Sequence, residues 1–239
     1  MIICSGDSYT DAKFESTIVP DYDCSFKKWP ELLKFDEQVI NVGQCGADNN
    51  FIVKSAYKEA KKHNNVSKII LGLSDWTRFL IFFRKFNPQL WTNPKLKDIP
   101  GLEPEILKQK RLLGSIGDEV LAPMALNWFL DQTLDNIHML WDYCKSKNIE
   151  LVIFQMLWPV AVNKNYNRQF YTTLLNDQRF LDLKEVSIGW PLHSTVEGIC
   201  IAELFDPDEH HIKARIDAHP NAEGHQFIAE WFMGEYNKR

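Results

Sequence analysis

Met1-Ile2-Ile3-Cys4-Ser5-Gly6-Asp7-Ser8-Tyr9 opens the chain with an apolar run and ends that run at a glycine turn. A short apolar run bounded by a turn residue predicts a buried β-strand. A serine just beyond such a strand is held where a catalytic nucleophile is needed, provided that a base lies beside it. The segment therefore predicts the first strand of a sheet and makes Ser8 a candidate nucleophile.

A base for Ser8 is available near the other end of the chain. Asp217-Ala218-His219-Pro220 places a carboxylate and an imidazole two residues apart, just before a segment with a helical pattern. Ser8, His219 and Asp217 are the three side-chain types of a Ser-His-Asp triad. Gly-Asp-Ser alone has a second interpretation, because it is also typical of an ordinary strand-to-loop turn capped by the aspartate.

Two further predicted strand ends carry glycine and polar residues. Asn41-Val42-Gly43-Gln44-Cys45-Gly46-Ala47-Asp48 follows the second predicted strand, and Gly72-Leu73-Ser74-Asp75 follows the third. Taken in chain order, the four segments present a serine, a glycine, a polar residue and an Asp/His pair.

This order resembles the four short motifs of the SGNH (GDSL) hydrolases, a family of esterases, lipases, thioesterases and carbohydrate deacetylases. The resemblance implies that Ser8 is the nucleophile, with His219 as general base and Asp217 orienting it. It also implies that the backbone N–H groups of Ser8 and Gly46 form the oxyanion hole, since a glycine allows close approach of the backbone. The implied reaction is deacylation of an ester, such as an acylated carbohydrate, through an acyl-enzyme.

The chain departs from the family pattern in two places. The third motif normally reads Gly-x-Asn-Asp, and here Ser74 stands at the asparagine position. A serine hydroxyl is shorter than a carboxamide, so we expect Ser74 to be a weaker third oxyanion donor. The fourth motif usually spaces Asp and His three residues apart, and here the interval between Asp217 and His219 is two.

Side chains beside these motifs are candidates for substrate contact, because flat aromatic faces and carboxylates commonly hold sugar rings or acyl groups. They are Asp7, Asp75, Trp76 and Trp158.

Three alternatives stay open. Gly72-Leu73-Ser74-Asp75-Trp76 nearly matches the nucleophile elbow Gly-x-Ser-x-Gly, although the bulky Trp76 stands where a small residue is needed. A second alternative is a scaffold that has lost efficient catalysis and serves as a binding or structural module. A third is acyl transfer to an acceptor other than water.

Strand and helix patterns alternate along the chain. The predicted strands are 1–4, 38–42, 68–73 and 150–155, and the predicted helices are 26–33, 48–62, 121–147 and 222–236. This alternation predicts an α/β protein, a three-layer α/β/α sandwich with a central parallel sheet of flavodoxin-like, SGNH hydrolase type. We expect a single domain over 1–239 with insertions at about 86–117 and 157–198 that border the site.

Charge and composition bear on partners and location. A net charge of −5 and a pI near 5.8 argue against a nucleic-acid partner. No run approaches the roughly 20 apolar residues of a membrane span, and the N-terminus lacks a signal-peptide pattern. The five cysteines are odd in number and scattered, which is typical of reduced thiols. We therefore expect a cytoplasmic protein, with export or packaging by another route as the open alternative, and its oligomeric state stays open.

No cofactor is expected. Gly43-x-x-Gly46 lacks the further glycine of a dinucleotide fingerprint, and the chain has no Gly-Lys-Ser/Thr motif. The run Asp206-Pro207-Asp208-Glu209-His210-His211 has no metal-ligand spacing and is interpreted as a solvated loop, so no metal site is expected.

Overall fold

A four-stranded parallel sheet forms the centre of the protein. The computed structural model describes residues 1–76, 118–157, 172–190, 200–213 and 216–239. The strands are β1 (Ile2–Ser5), β2 (Val39–Asn41), β3 (Lys68–Leu73) and β4 (Glu150–Gln155), and they lie in the order β2-β1-β3-β4. A parallel bridge between Ile153 and Ser187 extends the sheet beyond β4. The predicted parallel sheet of flavodoxin-like order is confirmed.

Helices cover both faces of this sheet. The described helices include α1 (Trp29–Leu32), α2 (Asn49–Ala60), α3 (Asp118–Lys147), α4 (Gln178–Asp182), α5 (Ile201–Leu204), α6 (Pro207–His210) and α7 (Ala222–Tyr236). Successive strand residues point to opposite faces, so Ile3 packs with α2 and α3 while Ile2 and Cys4 pack with α1 and α7. Both faces of β1 are therefore buried, which gives the continuous apolar run at the start of the chain.

Three of the helices begin or end at a residue that favours a helix boundary. Asp48 caps α2 by accepting a hydrogen bond from the N–H of Phe51 at 2.7 Å. Asn221 caps α7 through the N–H of Gly224 at 2.8 Å. The long helix α3 is followed by Asn148, which has a φ of 55° in the left-handed region typical of a helix stop. The Asp48 cap of α2 therefore lies two residues after Gly46.

The segment before α7 differs from the prediction. We predicted a solvated loop at 206–211, but α6 occupies part of it, and β5 (His211–Lys213) then pairs antiparallel with β6 (Asp217–Pro220). Such short strands were missed because three or four residues show no recognisable alternation.

The two predicted insertions differ in how much of each the structure describes. The insertion at 86–117 lies outside the described residues. In the second insertion, Phe180 and Leu183 are fully buried, so this part of the insertion belongs to the core. The single domain over 1–239 stays a prediction.

No described helix is both long enough and apolar enough to cross a membrane.

Candidate active site

The ends of three strands meet at one edge of the sheet. Cys4 of β1 pairs with Asn41 of β2 on one side and with Ile70 of β3 on the other. Because these strands are parallel, the residues that follow them emerge at the same edge. The turns are also tied together, since the N–H of Gln44 donates to the carbonyl of Gly6 at 3.0 Å. The motifs that contain Ser8, Gly46 and Ser74 therefore leave the sheet at one edge.

Ser8, His219 and Asp217 form a continuous chain of hydrogen bonds. His219 Nε2 lies 3.1 Å from Ser8 Oγ, and His219 Nδ1 lies 2.6 Å from Asp217 Oδ1. Asp217 and His219 both belong to β6, where residues two apart point to the same face. The two-residue interval, which departs from the family pattern, is thus the spacing that a strand requires to place both side chains together.

The carboxylate of Asp217 is buried and ionised. The side chain of Asp217 is 1% exposed and that of His219 is 20% exposed. Burial alone would raise the pKa of Asp217, but hydrogen bonds from His219 and Ser16 outweigh burial and lower the pKa to about 2. A permanent negative charge beside Nδ1 keeps the Nδ1–H tautomer, which leaves Nε2 free to accept a proton from Ser8.

Three further residues contact the segment that contains Asp217 and His219. Sequence reasoning missed all three. Ser16 Oγ donates a hydrogen bond to Asp217 Oδ2. The Phe14 ring stacks on the imidazole of His219 with centroids 4.3 Å apart. Tyr9 donates its hydroxyl to the carbonyl of Ala218 at 2.7 Å. No motif marks these residues, and the only available signal was their position within a few residues of the candidate nucleophile.

Two backbone N–H groups at this edge are available for an oxyanion. Within the described part of the chain, the N–H groups of Ser8 and Gly46 donate to no protein acceptor. Gly46 has a φ of 76°, a conformation that L side chains rarely adopt. The amino end of the twelve-residue helix α2 begins three residues later, at Asn49, and its dipole favours negative charge nearby.

Ser74 is enclosed beneath this edge. It is fully buried, its N–H donates to Asn49 Oδ1 at 2.8 Å, and its carbonyl accepts a hydrogen bond from Gln155 Nε2 at 2.9 Å. Its hydroxyl has no hydrogen-bond partner among the described residues. The nucleophile-elbow alternative therefore has no base at Ser74, and a contact between this hydroxyl and a substrate requires that the hydroxyl be uncovered first.

The expected substrate-contact residues occupy different environments. Asp7 is fully buried, and its Oδ1 accepts a hydrogen bond from the N–H of Tyr9 at 3.1 Å, which shapes the turn before the nucleophile. Trp76 is 4% exposed and donates its indole N–H to Gln155 at 3.0 Å, as a core residue does. Asp75 is half-buried, and Trp158 lies outside the described residues.

Two other histidines near the site accept hydrogen bonds from backbone N–H groups. His225 is 2% exposed, and its Nδ1 accepts a hydrogen bond from the N–H of Trp29 at 3.2 Å. Burial first, then the charge of Lys28 and that of His219, lower the pKa of His225 to about 3, so it is neutral. His210 Nδ1 accepts a hydrogen bond from the N–H of Asp206 at 2.8 Å. The described residues contain no cluster of three His, Cys, Asp or Glu side chains that would hold a metal ion.

Comparison with solved structures identifies the fold of this chain. No family model and no curated protein matches the chain. The psychrotrophic esterase EstA from Pseudoalteromonas sp., inhibited by monoethylphosphonate in its crystal structure, is 13% identical over 99% of this chain and 96% of its own, with a TM-score of 0.52. The likeness to EstA shows the fold: the chain shares the α/β architecture of that esterase, with a parallel sheet between layers of helices, as predicted.

Two further solved structures match over most of their length. A protein from Desulfitobacterium hafniense assigned to the lipolytic G-D-S-L family is 13% identical over 97% of this chain and 96% of its own, with a TM-score of 0.48. A variant of Axe2, an acetyl-xylooligosaccharide esterase from Geobacillus, is 13% identical over 98% of this chain and 92% of its own, with a TM-score of 0.49.

Proposed function

We propose that this protein is a serine hydrolase that cleaves carboxylic esters through a triad of Ser8, His219 and Asp217. The observation that carries the proposal is the hydrogen-bond chain from Asp217 Oδ1 through the imidazole to Ser8 Oγ, with distances of 2.6 and 3.1 Å. A serine hydroxyl becomes a nucleophile when an oriented base accepts its proton. The buried, ionised carboxylate stabilises the imidazolium that forms when this happens.

The proposed reaction has two halves. Ser8 Oγ attacks the carbonyl carbon while its proton passes to Nε2 of His219, and the tetrahedral oxyanion accepts hydrogen bonds from the N–H groups of Ser8 and Gly46. His219 then gives the proton to the departing alkoxide, leaving an acyl group on Ser8. A water molecule attacks the acyl-enzyme with His219 as base again, and the carboxylic acid leaves.

The proposed substrate is an ester with a small acyl group on a larger alcohol, with an acylated carbohydrate as the first candidate. We expect kcat/KM for aryl esters to fall as the acyl chain lengthens from acetyl to octanoyl. Acetylated monosaccharides should release acetate when incubated with the protein. Faster turnover of the octanoyl ester would contradict the small-acyl assignment while leaving the triad intact.

Phosphonate labelling tests the mechanism directly. A fluorophosphonate transfers its phosphonyl group to a serine that an aligned base activates, and EstA is inhibited by a phosphonate. Intact-mass analysis should show one adduct, and peptide mapping should place it on Ser8. The variant Ser8→Ala should take no label. An adduct on Ser74 would instead support the elbow alternative, and a folded protein without any adduct would support the non-catalytic module.

A further inference from the structure

A hydroxyl group outside the proposed triad completes the hydrogen bonds of Asp217. Ser16 Oγ donates to Oδ2 of Asp217, while Oδ1 accepts the ring Nδ1–H of His219 at 2.6 Å and its backbone N–H at 3.1 Å. Both carboxylate oxygens therefore receive donors, although the side chain is only 1% exposed. A buried carboxylate stays ionised when such donors replace its lost hydration.

The direction of the Ser16 hydroxyl proton is determined by its neighbours. The backbone N–H groups of Val19 and Ile18 donate to Ser16 Oγ at 2.8 and 3.2 Å. These groups can only donate, and an ionised carboxylate can only accept. The single hydroxyl proton must therefore point to Asp217. The turn that begins at Ser16 thus holds this hydroxyl in place from one side, and the carboxylate holds it from the other.

The same segment also contacts the partner of Asp217. Phe14, two residues before Ser16, lies on the imidazole of His219 at a centroid distance of 4.3 Å and an interplanar angle of 30°. Phe14 is 7% exposed and Ser16 is 6% exposed, so both contacts are shielded from water. One short segment therefore restrains the carboxylate through a hydrogen bond and the ring through its face.

We propose that Phe14 and Ser16 are positioning residues that hold Asp217 and His219 so that Nε2 stays directed at Ser8 Oγ. Without the Ser16 hydroxyl, Asp217 Oδ2 would be buried with no donor, and the carboxylate would rotate to regain one. Rotation would lengthen the bond to Nδ1 and free the ring to tilt. The catalytic consequence rests on the proposed function, whereas the effect on the Asp217–His219 pair does not.

The test compares single substitutions at Ser16 and Phe14, and one control, with the wild type. Ser16→Ala removes the donor, and Ser16→Thr keeps a hydroxyl. Ser187→Ala is the matched control, since Ser187 is also a buried serine whose hydroxyl donates one hydrogen bond, to the carbonyl of Leu183 at 2.7 Å. The first readout is the downfield proton NMR signal of the His219 Nδ1–H, assigned by its loss in His219→Ala. The second is kcat and KM for an acetyl ester as a function of pH.

We expect Ser16→Ala to shift the Nδ1–H signal or to broaden it through faster exchange with water. It should also lower kcat about tenfold with KM unchanged, as loss of one hydrogen bond to a charged group predicts. Ser16→Thr should retain the wild-type signal and most of kcat, and Ser187→Ala should change neither. Phe14→Leu, which leaves Ser16 intact, should broaden the same signal and lower kcat about threefold.

Two results would overturn the inference. One is a folded Ser16→Ala or Phe14→Leu protein with an unaltered Nδ1–H signal and unaltered kcat. The other is an equal change in Ser187→Ala, which would show a general effect of losing a buried hydroxyl. If the wild type hydrolyses no ester but Ser16→Ala still alters the Nδ1–H signal, the proposed function is rejected and the positioning role is kept. If the wild type is active but Ser16→Ala and Phe14→Leu alter neither the signal nor kcat, the positioning role is rejected and the proposed function is kept.

Discussion

Ser8 and His219 meet at the carboxyl edge of the sheet, whereas Ser74 and His225, the same two residue types, are enclosed nearby. Ser8 Oγ lies 3.1 Å from His219 Nε2, but Ser74 Oγ has no hydrogen-bond partner among the described residues. His219 is 20% exposed beside a carboxylate, while His225 is 2% exposed and accepts a backbone N–H. Residue type is therefore not enough for chemistry: Ser8 and His219 contact each other and His219 is reached by solvent, whereas Ser74 has no described partner and His225 is closed to solvent.

The largest effect should come from breaking the Ser8–His219 pair. Ser8→Ala and His219→Ala should each lower kcat by about 10⁴-fold or more, and the double variant should lose no more than either single one, because the residues act as a unit. Steady-state rates with an aryl acetate, compared among the three variants, test this. Losses that multiply in the double variant would show that the two residues act independently.

Gly46 should have the next largest effect. Its φ of 76° strains any residue with a Cβ, so Gly46→Ala should turn the N–H away from the oxyanion. Loss of one oxyanion donor predicts a fall in kcat of about 10²-fold with little change in KM. The measurement is the same aryl acetate assay, with Gly234→Ala as the control because a Cβ there would meet no atom within 4 Å. Wild-type kcat in Gly46→Ala would remove Gly46 from the oxyanion hole.

Ser74 should matter far less than Ser8. Because its hydroxyl is covered, Ser74→Ala should lower kcat by less than about tenfold, below the cost of a full oxyanion donor. Ser74→Asn introduces a larger side chain at a fully buried position and should destabilise the fold by about 1–3 kcal/mol through overpacking. Thermal unfolding and the ester assay measure the two effects. A hundredfold fall in Ser74→Ala would instead show that substrate binding uncovers this hydroxyl.

The smallest effect on activity is expected at His225, where the effect is on stability. The pKa of His225 is lowered from 6.5 to about 3 on folding, so between these pH values the unfolded chain binds more protons than the folded one. The unfolding free energy should therefore decrease as the pH falls through this range. His225→Asn, whose Oδ1 can accept the N–H of Trp29, should show a shallower decrease.

Urea unfolding of the wild type and of His225→Asn from about pH 7 to about pH 4 checks this difference. The ester assay at neutral pH provides the control, because His225 is neutral there and lies outside the proposed triad. Parallel stability curves for the two proteins would show that His225 titrates alike in the folded and unfolded chain.

The sequence by itself determined the layers of the fold and the chemistry of the candidate site. Strands β3 and β4 and helix α7 begin and end at the predicted residues, because long apolar runs and helical periodicity are local properties. Ser8, Asp217 and His219 were chosen as candidates because few residue types can activate a hydroxyl, and Gly46 was chosen through the resemblance to the SGNH hydrolases.

The tertiary structure alone decided which of these residues meet and which are enclosed. Ser8 and His219 are 211 positions apart, and their contact depends on the register of β1 in the sheet and on the β5–β6 hairpin. The hydrogen bond from Ser16 to Asp217 joins residues that are similarly far apart in the chain. Trp76, which the sequence suggested as a substrate contact, lies in the core. Long-range packing of this kind leaves no periodic trace in the chain, because each contact is set by the relative placement of whole elements and not by the residues beside it in sequence.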